Sequence, residues 1–482
     1  MDTKIIRVKN ENELDILDAP ASALKDGEVI AIPTETVYGL GANAYLSKSA
    51  EKIFKIKGRP SDNPLIVHIA EISDAENVGS DIPESFYTLA EKFWPGPLTM
   101  IVKKNDRIPH SVTAGLDTVG IRMPDNIYTR YLIKQAGCPV AAPSANISGT
   151  VSATKAEYVY DDFKDKITYI IDGGNSKIGL ESTVINLTTT PPMILRPGKV
   201  TLEEIKQYIP DCIYHPSLKK DISDVSSPAS PGMKYKHYSP SCPVVLVRGD
   251  LKKAEDYILN NIKENECVFY FKEQEKLSFS PYCLGSINSL EECAEKIFDY
   301  LREADKSGCK KIYIPSVKEE GLGIAIMNRL KKTCAGNIVD VKNILFICTG
   351  NTCRSPMAEF ILKSFNIEGL NVKSRGLYVC CMADMSFSSE KVLKDNDILF
   401  SNFKSSQVSE TDINEADEIY TMTKSHRDFL INAFPHFENK IKTLKDDGDI
   451  KDPYMQPDYV YQAVFDDIRV AVEKLFKPAS NP

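Results

Sequence analysis

Eight consecutive residues, Cys348-Thr349-Gly350-Asn351-Thr352-Cys353-Arg354-Ser355, set a thiol and a guanidinium at the two ends of one short loop. The apolar run before it (NILFI, 343–347) reads as a strand, and Pro356 stands where a first helical turn begins. In such a strand-to-helix loop successive backbone N–H groups turn inward, and with the helix N-terminus behind them they form a cradle for a phosphate. Arg354 can fork two donors onto the phosphate oxygens, and the same positive field favours the thiolate of Cys348, a nucleophile at the base of the cradle. Attack of sulfur on phosphorus also calls for an acid to protonate the leaving atom. Asp452, next to Pro453 in a polar stretch of loop character, is the candidate.

At these residues the chain resembles the low-molecular-weight phosphotyrosine phosphatase family, and within it the protein arginine phosphatases, from 343 to about 478. EADEIYTMTKSH (415–426) and DPYMQP (452–457) extend the likeness. The resemblance implies a flavodoxin-like fold, a phosphocysteine intermediate on Cys348 and phosphate binding by Arg354. It also implies a phosphate loop of Thr349, Gly350, Asn351, Thr352, Cys353 and Ser355, orientation through Asn351 and Ser355, and Asp452 as general acid. Arginine-specific members resemble this chain in carrying Thr at position 352, where tyrosine-specific members have a larger apolar residue. A hydroxyl there can hydrogen-bond a guanidinium nitrogen that a branched aliphatic would leave unpaired. Phosphoarginine is therefore the expected substrate, with phosphotyrosine the alternative. Two segments depart from the family: VCCMADMSFSSE (379–390) is unlike the usual variable loop, and LFSNFKSSQ (399–407) lacks a histidine often found there. Arsenate reductases share the loop but need a redox pair well downstream, and no cysteine follows Cys381.

In the first half, small, polar and basic residues gather in six short segments: PTETVYGLG (33–41), KGRPSDNPLIVH (57–68), TVGIRMP (118–124), PSANISG (143–149), GLESTVI (179–185) and LRPGK (195–199). Lys57 and Arg59 flank a glycine at a helix end and can reach one side together, suited to a polyphosphate. Ser144 and Asn146 can present a hydroxyl and an amide to one ligand. Singly, each segment is an ordinary turn or helix end. In this order they resemble the YrdC-type threonylcarbamoyl-AMP synthases over residues 10 to about 210, whose K-x-R and S-x-N signature falls on Lys57, Arg59, Ser144 and Asn146. The resemblance implies that L-threonine, bicarbonate and ATP with Mg²⁺ become threonylcarbamoyl-AMP and pyrophosphate. That product feeds the downstream machinery that transfers threonylcarbamoyl to tRNA. The implied threonine site is Thr36, His68, Arg122, Ala142 and Ser182. The implied ATP site is Lys57, Arg59, Asn63, Thr118, Ser144, Asn146, Ser152, Arg196 and Tyr235. SPGMKYKHYSP (230–240) and GLGIAIMNRL (321–330) further resemble the two-domain members, whose linker would close over the nucleotide through Lys234, Tyr235, Lys236, His237 and Tyr238.

Three kinds of element must position these residues. EVIAIPTETVYGL (28–40) and PLTMIVKK (97–104) read as strands, and SKSAEKIFKIKG (47–58) as a helix closed by Gly58. Residues 211–241 lose periodicity and read as a linker. From 243, PVVLVRG, CVFYF and KIYIP alternate with helical patterns in the rhythm of a small parallel sheet. The expectation is a multidomain α/β chain: a YrdC-type synthase domain (1–210), a linker or lid (211–241), a small Rossmann-like parallel-sheet domain (242–341) and a flavodoxin-like phosphatase domain (342–482).

The 482 residues exceed what one core serves, and 42% apolar against 26% charged residues is a globular balance. A net charge of −8 supplies no general field for nucleic acid or an anionic membrane, which argues against the rival reading of the first half as an RNA-binding module. No strong direct nucleic-acid binding and no membrane contact are expected, and phosphorylated proteins are the expected partners of the C-terminal domain. The N-terminus lacks an export signal and no run is long enough to span a bilayer, so the chain reads as cytoplasmic. The 12 cysteines and six histidines form no set with zinc spacing, so no structural metal is expected.

Overall fold

A computed structural model describes residues 2–8, 11–219 and 239–477. The chain divides into two compact units, Met1–Val247 with Ile258–Ile338, and Arg248–Tyr257 with Val339–Pro482.

A mixed twelve-stranded sheet organises the first unit among the described residues. The run 28–40, expected as one strand, supplies two: Ile30–Ile32 pairs antiparallel with Gly39–Asn43. Pro33 offers no N–H to a ladder, and Thr34 Oγ1 donates to Val37 O at 2.6 Å while accepting from the Thr36 and Val37 amides, which folds the intervening residues into a turn. Leu98–Lys104 forms as expected. The helix Ser47–Lys57 turns Ala50, Ile53, Phe54 and Lys57 inward at helical spacing and ends at Gly58, whose φ of 62° is left-handed.

Contacts cross the expected domain limits in two places. Ile213–Tyr214 pairs in parallel with the strand Met193–Arg196, so the sheet continues past residue 210. The segment 242–341 does not stand apart, because most of it clusters with the first 247 residues. Its parallel strands Tyr282–Cys283, Cys267–Tyr270, Ile312–Pro315 and Val244–Arg248 lie in that order. Its helices Glu291–Lys306 and Leu322–Cys334 bury not only apolar side chains but also Arg302 and Arg329, each paired with a carboxylate from the first 210 residues. Residues 248–257 belong instead to the second unit, where Lys253 Nζ binds both oxygens of Asp417 at 2.7 Å. The proposed lid residues Lys234, Tyr235, Lys236, His237 and Tyr238 lie outside the described residues.

In the second unit four parallel strands run in the order Leu370–Gly376, Lys342–Cys348, Glu418–Thr421, Ile441–Thr443. The chain order 2-1-3-4 is the doubly wound, flavodoxin-like arrangement, in which ligands bind beyond the carboxyl ends of the strands at the switch point. Both faces of Lys342–Cys348 are covered. Ile344 and Phe346 pack with Met357 and Ile361 of the helix Arg354–Ser364 and with Phe465 of Asp458–Phe476. Leu345 and Ile347 pack with Ile413 and Leu430 on the other side. Cys348 therefore ends a strand buried on both faces, directly before the helix that Arg354 opens.

Candidate active sites

The C-terminal loop folds around the sulfur of Cys348, which is 2% exposed. The Asn351 amide and the Ser355 hydroxyl donate to Sγ at 3.2 and 3.0 Å, two dipoles that stabilise negative charge on sulfur. Asn351 holds a left-handed backbone, φ 54°, and its side chain fixes that conformation from three directions. Its Nδ2 donates to Ser355 Oγ and Ser374 Oγ, and its Oδ1 accepts from the Ser406 amide, all at 2.9–3.0 Å. Ser374 is in turn held by Glu359 at 2.6 Å. Gly376, at the end of the neighbouring strand, runs so close that a Cβ there would stand 2.9 Å from Thr349 O and 3.0 Å from Asn351 N.

Buried Arg354 donates from Nη2 to Thr349 Oγ1 at 3.2 Å and to Asp452 Oδ2 at 2.7 Å, and from Nη1 to Ile450 O at 3.3 Å. Thiol, guanidinium and carboxylate thus meet, Asp452 coming from far down the chain. They border a cavity of about 350 Å³ that Thr349, Gly350, Thr352 and Cys353 also line, with Tyr378 and Tyr454 at its side. His426 Nε2 is 2.9 Å from Thr349 Oγ1. Burial and the Arg354 charge pull this imidazole down to about 4, so it is neutral at pH 7.

In the first unit one pocket gathers most of the residues expected to bind substrates. Thr36, His68, Arg122, Ala142 and Ser182 line it, as do Lys57, Arg59, Ser144, Asn146 and Arg196. The turn at 33–38, the end of the helix Ser47–Lys57, the strands Ile66–His68 and Thr118–Arg122 and the loop after Val140–Ala142 bring them together. Three arginines, Arg59, Arg122 and Arg196, line it with one carboxylate, Glu181, so the pocket suits anionic ligands.

Several residues act differently from the sequence expectation. Lys57 lines the pocket but is 2% exposed, and Nζ donates to the carbonyls of Ser144 and Asn146 at 2.5 Å, bracing the S-x-N loop. Burial and neighbouring Arg59 hold its ammonium well below the usual lysine range. Arg122 spends Nη2 on Glu35 at 2.6 Å and Nε on Gly96 O, an ion pair that orients its remaining nitrogen. Burial and Arg122 bring His68 down to about 3, so it faces the pocket as a neutral ring. Thr118 lines a neighbouring cavity with Thr99 and Gly120 instead, Asn63 is buried beneath Arg59, and Ser152 is fully buried with its hydroxyl on Glu181 at 2.7 Å. Tyr235 lies outside the described residues.

Glu35, Glu181, Ser374, Ser406, Glu359 and His426 were not singled out by sequence reasoning. Each pairs with a residue distant in sequence, and the available signal was weak: a carboxylate inside an otherwise apolar or hydroxyl-rich segment. Burial raises the Glu181 carboxyl, yet Arg329, Arg196 and Ser152 together hold it below its usual value.

A strand-loop-helix cradle with sulfur, guanidinium and carboxylate is the apparatus of a cysteine-dependent phosphatase, and the cationic cleft that of an enzyme handling anionic substrates. Three family models match in succession: "Telomere recombination" over residues 22–198, "Threonylcarbamoyl-AMP synthase, C-terminal domain" over 200–335, and "Low molecular weight phosphotyrosine protein phosphatase" over 343–481. The threonylcarbamoyl-AMP synthase of Pyrococcus abyssi is 43% identical over 347 residues, 70% of this chain and 100% of the relative. The protein-arginine-phosphatase of Geobacillus stearothermophilus is 38% identical over 137 residues, 27% of this chain and 92% of the relative. The crystal structure of P. abyssi Sua5 complexed with L-threonine aligns with a TM-score of 0.64 at 41% identity, over 71% of this chain and 100% of that one. The chain belongs to the threonylcarbamoyl-AMP synthase family and continues into a low-molecular-weight phosphatase domain. No helix among the described residues is long and apolar enough to cross a membrane.

Proposed function

We propose that this bifunctional enzyme joins L-threonine, bicarbonate and ATP into threonylcarbamoyl-AMP and pyrophosphate in its first unit, and removes phosphate from protein arginine residues in its second. For the synthase half, the carrying observation is that all five residues implied for threonine and five of those implied for ATP line one pocket. The relative solved with L-threonine supports the same reading. Threonine carbamate attacks the α-phosphorus and pyrophosphate leaves, so the pocket must hold two anions close together and neutralise the departing charge. Arg122, oriented by Glu35, suits the threonine carboxylate, and Arg59 and Arg196 suit the phosphates. Glu181, the carboxylate that lines the pocket, is already held by Arg329 and Ser152, so a Mg²⁺ would have to be carried in with ATP, where it would supply further neutralisation of phosphate charge beside Arg59 and Arg196. The product then passes to the machinery that modifies tRNA, in the cytoplasm.

For the phosphatase half, the carrying observation is the pair of donors aimed at Cys348 Sγ beside Arg354 and Asp452. The thiolate forms the S–P bond as the P–N bond of phosphoarginine breaks, and Asp452 delivers a proton to the leaving nitrogen. Water, deprotonated by the same carboxylate, then releases phosphate and regenerates the thiolate.

One experiment tests both halves. The full chain is given ATP, threonine and bicarbonate, then separately phosphoarginine and phosphotyrosine peptides, alongside Cys348→Ser. Threonine-dependent pyrophosphate release should persist in the variant while phosphate release is abolished. Loss of both activities together would contradict independent sites, and faster turnover of phosphotyrosine would replace the arginine assignment.

A further inference from the structure

Two arginines from the segment after residue 258 bond residues in or beside the pocket wall of the synthase half: Arg329 holds Glu181, which lines it, and Arg302 holds Val151, two residues beyond the lining Gly149. Arg302, on the helix Glu291–Lys306, donates from Nε and Nη2 to Val151 O at 3.0 and 2.5 Å and pairs through Nη2 with Asp162 at 2.8 Å. Arg329, on Leu322–Cys334, pairs through Nε with Glu181 Oε2 at 3.1 Å and donates to Pro197 O at 2.5 Å and Glu181 O at 3.2 Å. The two contacts converge, because Ser152 Oγ donates to Glu181 Oε1 at 2.7 Å. Nearby, the Ser239 amide donates to Gly149 O at 3.1 Å. Gly149 and Glu181 both line the pocket.

Burying a guanidinium on the apolar stripe of a helix is costly unless its donors are satisfied in a fixed geometry. Apolar residues at these positions would join the two parts of the unit without that expense, but they would not specify where Val151 O and the Glu181 carboxylate stand. The planar forks of Arg302 and Arg329 do specify it.

We infer that Arg302 and Arg329 are positioning residues of the synthase reaction: acting through Val151, Ser152 and Glu181, they hold the nucleotide side of the pocket, and the segment 258–338 is thereby part of the active site. This rests on the synthase reading of the pocket. On the threonine side, Arg122 is held by Glu35, and Ser182 by Arg196 and Thr99. Ser182 adjoins Glu181 and so the Arg329 contact, whereas Arg302 bonds Val151 and Asp162, beyond the loop of Ser144 and Asn146. Disturbing Arg302 should therefore weaken ATP and spare threonine, whereas loss of simple mortar would lower the active fraction and leave both KM values unchanged.

The test uses the full chain with Arg302→Lys and Arg329→Lys, which keep the charge and lose the fork. Pyrophosphate release is measured with ATP and threonine varied separately. Thermal unfolding and hydrolysis of a small aryl phosphate by the same preparations serve as controls. The expected result is an ATP KM raised at least tenfold in both variants, a threonine KM within twofold of wild type in Arg302→Lys, and unaltered phosphatase turnover. An unchanged ATP KM in both, a lower kcat with both KM values unchanged, or equal rises in both KM values of Arg302→Lys would overturn the inference. Should Arg329→Lys fail to fold, Arg302→Lys decides alone. If the wild type shows no threonine-dependent release, the synthase reading fails on its own account, and weaker binding of a non-hydrolysable ATP analogue by the variants still reads the positioning role.

Discussion

Arg354 Nη2 stands 2.7 Å from Asp452 Oδ2, so the guanidinium proposed to hold a phosphate is itself held by the carboxylate proposed to protonate the leaving group. On that proposal the pair couples the two halves of the reaction: a phosphoryl group that takes Arg354 would displace Asp452 and free it for the leaving atom.

Asp452→Asn separates these effects. Loss of the acid should lower kcat by roughly 10²–10⁴-fold. Removing a competitor for Arg354 should tighten inhibition by inorganic phosphate. The Asp452 side chain is 50% exposed, and such pairs are worth about 0.2–1 kcal/mol, so the gain should be roughly one-and-a-half to fivefold. Weaker phosphate inhibition in the variant would show that the pair does not oppose binding.

His426 makes the second unit acid-sensitive. Its folded value of about 4 lies below the ordinary 6.5, because burial and Arg354 disfavour the imidazolium, against the smaller opposing influence of Asp452 and Asp449. The unfolded chain therefore binds a proton that the folded chain refuses. The stability this group contributes is complete above pH 6.5 and declines as pH falls from there toward 4. In urea unfolding of the second unit, the loss of stability between pH 7 and pH 5 should be smaller for His426→Asn than for wild type. An equal loss would assign the acid sensitivity to other groups.

Thr352→Ile should change which substrate is preferred without breaking the loop. The hydroxyl lies at the cavity beside Cys348, where a guanidinium nitrogen can reach it. Leaving a buried polar group unpaired costs about 1–3 kcal/mol, so the ratio of phosphoarginine to phosphotyrosine efficiency should fall roughly ten- to a hundredfold. Hydrolysis of a small aryl phosphate should survive. A parallel fall in both efficiencies would mean that Thr352 does not select.

Gly376→Ala pushes a methyl against Val379 Cγ2 at 2.6 Å and against the backbone atoms Thr349 O and Asn351 N at 2.9 and 3.0 Å; the valine can shift, the loop backbone cannot do so without moving the cradle. Overpacking of this kind costs about 1–3 kcal/mol. Displacement of the cradle by even a fraction of an ångström should lower kcat roughly ten- to a hundredfold, with a lowered Tm. Unaltered kinetics would show that the loop tolerates the shift.

Two features were legible in the sequence because their geometry is local. Cys348 and Arg354 share one loop, so a strand, a Gly-Asn turn and a helix start suffice to aim them at a common centre. The helix Ser47–Lys57 and its Gly58 stop follow from spacing and one left-handed position. What lay beyond the sequence is the partner chosen by each buried charge. The spacing put Lys57 at a pocket but did not show that it braces a loop there: folding takes it out of water, and two carbonyls of a distant segment accept its hydrogen bonds. Thr118 carries the expected residue type yet lines a neighbouring cavity. Arg302 and Arg329 occupy apolar helix stripes and went unremarked in the sequence, because their partners Val151 and Glu181 lie 151 and 148 residues away. Periodicity records which face a residue takes. Only the tertiary structure decides which groups meet there, since a buried polar atom must find its complement wherever in the chain that complement lies.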